Sequence, residues 1–164
     1  STTAAAMHHV LASARPGSRL GGNITVSPLA FVDELDPAAP VVLELSSWQL
    51  GDLRGKGLLD PVVSVFTNLM PEHMNYYATM EEYAADKKVI FEEQSPAHAA
   101  LFNGDDPLLA GFAVPVQVAV VYWAGRMRLP TTTLFPARTR PEPPTVLFWM
   151  VMLSSGAIMT ASTP

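Results

Sequence analysis

The sequence predicts an α/β fold: a doubly wound, mostly parallel sheet carried by one incomplete domain. Three observations predict it. The apolar runs Val41-Val42-Leu43 and Pro61 to Thr67 read as strands buried on both faces. Helix-compatible segments stand between such runs, so strands alternate with helices. Glu44 closes the first run, and the carboxyl end of a strand is where an open α/β sheet takes its ligands.

The elements follow in order. Ser1-Thr2-Thr3 opens an Ala-rich helix that runs to Ala14, with a hydroxyl residue to cap it. Arg15-Pro16-Gly17 stops it. Gly21-Gly22-Asn23-Ile24 reads as a tight backbone passage, and Pro28 suits the first turn of a short helix over Leu29 to Leu35. Pro37 to Pro40 is a turn. The strand Val41–Leu45 comes next, then a helix or turn through Leu53 and a loose connection at Gly51, Gly55 and Gly57. Pro61 to Thr67 is a second buried strand, and Asn68 to Thr79 a polar loop. Met80 to Glu92 is an amphipathic helix, with Tyr83, Lys87 and Ile90 or Phe91 on one face. Ala97 to Phe102 is a third strand, ending in Asn103-Gly104-Asp105-Asp106-Pro107, and Val114 to Trp123 a fourth. From about Arg126 the character changes. Thr131 to Pro144 is rich in Pro, Thr and Arg and has no period. Val146 to Ala161 is apolar but interrupted by Ser154-Ser155-Gly156, which favours a terminal strand or hairpin over a membrane span. The chain therefore divides into residues 1–125, the α/β domain, and a Pro-rich tail over 126–164.

Composition sets bounds. The 164 residues are 49% apolar and 15% charged, enough for one domain with a real core. Net charge is −5 and the ten Lys and Arg form no block, which argues against a nucleic-acid surface. There is no cysteine, hence no disulfide framework and no thiolate metal site, which fits a cytoplasmic protein. No signal peptide is visible. The chain opens on Ser1 rather than Met, so the true amino terminus is expected upstream or processed.

Three features carry chemistry. Glu44 ends one strand, Thr67-Asn68-Leu69-Met70-Pro71-Glu72-His73 follows the next, and Lys87 lies fourteen residues beyond His73, across a helix. Taken singly, Glu44 is a strand-end charge meeting solvent and His73 a polar loop residue. Together, an imidazole, a carboxylate and an amine at adjacent strand ends suit a cation beside a polyanionic substrate.

These residues resemble the central domain of the Mur ligases, the ATP-dependent enzymes that build the peptide of bacterial cell-wall precursors. The matching residues are Gly22-Asn23-Ile24 with Pro28, the block Glu44-Leu45-Ser46-Ser47-Trp48-Gln49-Leu50, and Thr67-Asn68 with Pro71-Glu72-His73. They continue with Met80 to Ala85 leading to Lys87, then Ile90-Phe91, then Asn103 with Asp105-Asp106-Pro107. The Glu-Leu-Ser-Ser-aromatic-Gln-Leu block is the most specific and points to the D-glutamate-adding branch. The resemblance implies that ATP phosphorylates the carboxylate of UDP-N-acetylmuramoyl-L-alanine and that the amine of D-glutamate then displaces phosphate. It implies ATP and two Mg²⁺ sites as cofactors, a bacterial cytoplasmic location and a monomer. By resemblance Ser1 and Glu44 ligate one magnesium, and His73 and Lys87 belong to the second. Lys87 matches the lysine that the family carbamylates, a change that turns an amine into anionic oxygens suited to a hard cation. Asn23 and Ser47 match substrate contacts, and Asn68 is assigned to both substrate and nucleotide. Lys88 is the rival lysine, but Lys87 stands four before Phe91 as the family pattern requires.

Departures from the family are visible. The Gly-rich phosphate loop and its lysine would lie just before Ser1, so this chain alone is expected to be inactive. Glu72 stands where the family has Asp, and Asn75, Tyr76 and Tyr77 where it has Asp, Arg and His. Thr25 replaces a Gly. Two further readings stay open: a non-catalytic remnant that binds a nucleotide sugar, and another Mur-type or folylpolyglutamate-type ligase.

Overall fold

The computed structural model describes residues 2–24, 26–110, 119–123 and 148–152. Its elements are α1 (Thr2–Ala14), β1 (Arg19–Gly22), β2 (Val41–Glu44), α2 (Ser47–Leu53), β3 (Val63–Phe66), α3 (Met80–Glu92), β4 (Ala99–Asn103), α4 (Pro107–Ala110), β5 (Ala119–Trp123) and β6 (Phe148–Met152). The six strands form one sheet in the order β1-β2-β6-β3-β4-β5, and every neighbouring pair runs parallel.

Both faces of the sheet are covered, as buried parallel strands require. All four residues of β2 and all four of β3 are buried. Successive strand side chains point to opposite faces, and the two cores divide accordingly. Val42, Val63 and Val65 pack with Ala4, Met7 and Leu11 of α1. Val41, Leu43, Phe66 and Phe102 pack with Leu50 of α2 and with Tyr83, Ile90 and Phe91 of α3. Helices on two faces of a parallel sheet make the fold doubly wound, as expected. Phe66, Phe91 and Phe102 form the densest part of the larger core, with ring centroids 5.2 to 6.5 Å apart.

Most elements fall where local chemistry puts them. Ala4, Met7 and Leu11 make the apolar stripe of α1, and Gly17 at φ 91° turns the chain after it. Ser46 caps α2 in a reciprocal box: Gln49 N donates to Ser46 Oγ at 3.3 Å and Ser46 N donates to Gln49 Oε1 at 2.9 Å. Thr79 caps α3, accepting from Glu82 N at 3.2 Å.

Three expectations are revised. The passage at Gly21-Gly22 is part of the edge strand β1, paired in register with β2; two glycines carry no β-propensity, so pairing alone makes the strand. Leu29 to Leu35 is not one helix but two 3₁₀ turns, Pro28–Ala30 and Val32–Glu34. Phe31 separates them at φ −136° and ψ 1°, where it buries its ring against Gly21 and leaves helical dihedrals. Pro107–Ala110 forms a short helix where only the end of the third strand was expected. The terminal strand expected within Val146 to Ala161 is β6, seated between β2 and β3. The expected strand from Val114 is described from Ala119 only, and Ser1, Thr25 and Thr131 to Pro144 lie outside the described residues. Among the described residues, no helix is long and apolar enough to cross a membrane.

Candidate functional site

The strands are parallel, so β2 and β3 deliver their carboxyl ends to the same side of the sheet, with β6 between them. Glu44 ends β2 and is buried to 8% exposure. Gly22 sits beside it in a conformation open to glycine, at φ 99°, and a Cβ there would come within 2.0 Å of Glu44 O. That close approach lets Asn23 N donate to Glu44 O at 2.7 Å, which sets the exposed Asn23 next to the strand end. Ser47, at the start of α2, is 2% exposed, and Trp48 after it is 44% exposed.

The loop after β3 is held at its start. Leu69 N donates to Asp106 Oδ2 at 2.7 Å. At the centre, His73 adopts φ 57°, a left-handed conformation that a residue with a Cβ occupies at a cost. Tyr76 N and Tyr77 N both donate to His73 O, at 2.8 and 3.0 Å, which stabilises the turn. The His73 ring lies 4.8 Å from Trp48 and 6.2 Å from Tyr83. Glu72 Oε2 is 4.0 Å from His73 Nε2 and accepts from Tyr83 Oη at 3.4 Å.

Lys87 is the unusual group. It is 2% exposed, on the face of α3 that also carries Tyr83, Ile90 and Phe91. Its Nζ stands 4.8 Å from the centre of the Tyr83 ring and 6.0 Å from that of Phe66. Burial drives its pKa down from 10.5 to about 8, and the Glu72 carboxylate opposes the shift. Lys88, next to it, is only half-buried, so of the two lysines Lys87 is the buried one. Burial raises the Tyr83 hydroxyl, and the nearby Glu72 adds to the effect. Burial also pushes Tyr77 up to about 12, and Asp86 adds to the shift.

His73 and Lys87 are thus brought together around Tyr83 and Glu72. Glu44 ends β2 three residues before α2 begins, and Trp48 of α2 packs on His73. Asn68 follows β3 at the same sheet end, and its Oδ1 is closed off from solvent with no hydrogen-bond partner among the described residues. Ser1 lies outside the described residues. No group of three or more His, Cys, Asp or Glu among them stands ready to hold a metal ion. The sequence reading gave no role to Trp48, Tyr77 or Asp86. Tyr83 had a signal, since it precedes Lys87 by one helical turn. Asp86 had none, because its partners Arg54 and Tyr77 are reached only through the fold.

A doubly wound parallel sheet with charged groups gathered outside its strand ends defines a ligand-binding α/β domain. The family model of the Mur ligase middle domain matches residues 1–123, and the chain belongs to this family. It is 45% identical over 127 residues to the UDP-N-acetylmuramoylalanine–D-glutamate ligase of Treponema pallidum (strain Nichols), covering 71% of this chain and 24% of that protein. The same-named protein of Borreliella burgdorferi (strain ZS7) is 44% identical over 95 residues, 58% of this chain and 20% of the relative. That of Symbiobacterium thermophilum is 38% identical over 125 residues, 76% of this chain and 27% of the relative. The chain spans about a quarter of the length of the curated relatives it matches.

Proposed function

We propose that this chain is the central part of an ATP-dependent ligase that joins D-glutamate to UDP-N-acetylmuramoyl-L-alanine in the bacterial cytoplasm. The observation that carries the reading is the Lys87 amine, buried over the Tyr83 ring within reach of the Glu72 charge. A buried amine with a lowered pKa costs stability and marks a working group. The names of the relatives supply the substrate class.

The residues at the strand ends fit the magnesium that the family implies. Glu44 supplies a carboxylate at a strand end, and the orphaned Asn68 oxygen is an acceptor in need of a cation, water or N–H. Mg²⁺ takes one or two carboxylates and fills its remaining positions with water and phosphate oxygens. Glu44 would hold one ion, with Ser1; His73 and a carbamylated Lys87 would hold the other. Bound magnesium supplies charge neutralisation for phosphoryl transfer.

The protein's own contribution is placement. The Lys87 amine, lowered to about 8, is neutral in a substantial fraction near pH 7.5, which is the form that takes up CO₂. Asn23 and Ser47 would orient the sugar nucleotide from the β1 and α2 sides of the crevice, and Trp48 and Tyr83 fix the His73 ring between them. Calorimetric titration of UDP-N-acetylmuramoyl-L-alanine, then MgATP, into the chain tests the reading. Saturable binding of the sugar nucleotide that Asn23→Ala and Ser47→Ala weaken is expected. Binding that ignores both substitutions, or no binding in excess Mg²⁺, defeats it.

A further inference from the structure

We propose that Asp86 is a positioning residue, which ties Tyr77 to α2 and so holds the wall of rings around the Lys87 amine. Asp86 is one residue before Lys87 on α3 but points elsewhere. Its Oδ1 accepts from Arg54 Nη2 at 2.6 Å and its Oδ2 accepts from Tyr77 Oη at 2.9 Å. Three separate parts of the chain therefore meet on one carboxylate: the end of α2, the loop after His73, and α3.

The approach to α2 needs Gly51. A Cβ at this position would stand 2.7 Å from Asp86 Oδ2 and 2.8 Å from its carboxyl carbon. Gly51 and Asp86 thus work as a pair, an absent side chain opposite a carboxylate that fills the space. From Asp86 the contacts lead inward. The Tyr77 ring packs on the Tyr83 ring at 5.2 Å, and Tyr83 lies under Lys87 Nζ at 4.8 Å. Tyr77 also packs edge-on to Tyr76, which meets Trp48, the ring against His73. Releasing Tyr77 frees the rings on both sides of the crevice at once. Arg54 does not share this position. Its side chain is 44% exposed, and its ion pair closes the outer side of the same carboxylate.

The proposal rests on the reading of Lys87 as the working amine, but its test needs no nucleotide, metal or turnover. An amine-selective reagent is applied to the whole chain, and labelling at Lys87 is read against exposed Lys56 by peptide mass spectrometry. Asp86→Ala is expected to raise the Lys87:Lys56 ratio about tenfold, as a pocket opened by about 1.4 kcal/mol would. Asp86→Asn keeps an oxygen for Tyr77 and is expected to restore a ratio close to the wild type. Arg54→Ala lowers stability without opening the pocket, so its ratio also stays low. Tyr77→Phe deletes only the hydroxyl and is expected to match Asp86→Ala, which keeps the test intact should that variant not fold. A rise below about threefold in both, or an equal rise in Arg54→Ala, overturns the proposal, because a merely structural ion pair affects both partners alike. A failed ligand titration leaves this result readable, and a failed labelling test leaves the ligase reading untouched.

Discussion

At the scale of single residues, Lys87 and His73 are the two places where the chain accepts a cost. The pKa of Lys87 is about 8 when folded and 10.5 when unfolded, so between those values the unfolded chain holds more protons and stability rises with pH. Below about pH 8 both states carry the charge and the burial cost is present in full; at about 1.4 kcal/mol per pH unit it amounts to roughly 3 kcal/mol. Lys87→Met is therefore expected to be more stable than the wild type at pH 7 in CO₂-free buffer. Its advantage should shrink from pH 8 to 10.5 in parallel denaturant titrations. A Met variant that is less stable at pH 7, with no pH trend, would show that the amine is not desolvated. At His73 the cost is backbone strain. His73→Ala loses the contacts with Trp48 and Tyr83 and keeps the strained φ, whereas His73→Gly loses the contacts and relieves the strain. The Gly variant should be the more stable of the two by about 1 kcal/mol in chemical denaturation. Neither cost is legible in sequence. The spacing of Tyr83, Lys87, Ile90 and Phe91 puts Lys87 on the apolar face of its helix, but only packing shows how deeply the amine sits.

At the scale of elements, α1 and α3 were legible because their signals are local, while α2 was legible only as a helix or turn. The Ser46/Gln49 box opens α2, Thr79 opens α3, and each cap is written within four residues. Ser46→Ala should cost about 1 kcal/mol by thermal unfolding, with little change in far-UV signal, because only the helix start loses its partner. The strand β1 was not legible, since Arg19-Leu20-Gly21-Gly22 has no strand composition and owes its state to β2 alongside. The contact between α2 and α3 was equally hidden, and it makes an unusual prediction about Gly51. Alanine normally stabilises a helix relative to glycine by about 1 kcal/mol. Here Gly51→Ala drives a Cβ into the Asp86 carboxylate and should destabilise. In an Asp86→Ala background the obstacle is gone, and the same Gly51→Ala change should become stabilising. A double-mutant cycle that shows no change of sign would mean that the two helices move apart freely, and the fit between them would lose its significance.

At the scale of the whole molecule, the larger surprise is which strand stands at the centre. The sequence pattern places the parallel sheet within residues 1–125 and leaves the later residues as a tail. The sheet order runs β1-β2-β6-β3-β4-β5, so among the described residues β6, Phe148–Met152, is the strand that joins the β1-β2 pair to the β3-β4-β5 triplet. No local signal could show this. An apolar run in a Pro-rich neighbourhood has the composition of a strand, but its place in a sheet depends on partners more than eighty residues away, Val63 to Phe66 and, further still, Val41 to Glu44. The consequence reaches the site. Glu44 pairs with Val151, and Phe66, after which the His73 loop begins, pairs with Met152. The spacing between Glu44 and that loop is therefore set by a strand from the far end of the chain, about 10 Å for two strand intervals. Helix α1 bridges the same gap from one face, packing on Val42 of β2 and on Val63 and Val65 of β3. Met150 is in register with both Leu43 and Ser64. Met150→Pro removes an N–H donor at the middle of a central strand, where proline costs about 3 kcal/mol or more. The variant should lose most of its thermal transition, and sugar-nucleotide binding should be lost with it. Hydrogen exchange on the unaltered chain gives the complementary reading. Amides of Phe148–Met152 should exchange as slowly as those of Val41–Glu44 if β6 holds the centre. Fast exchange there, with slow exchange in β2 and β3, would mean that α1 alone holds the two halves together and that the crevice takes its width from a helix rather than from a strand.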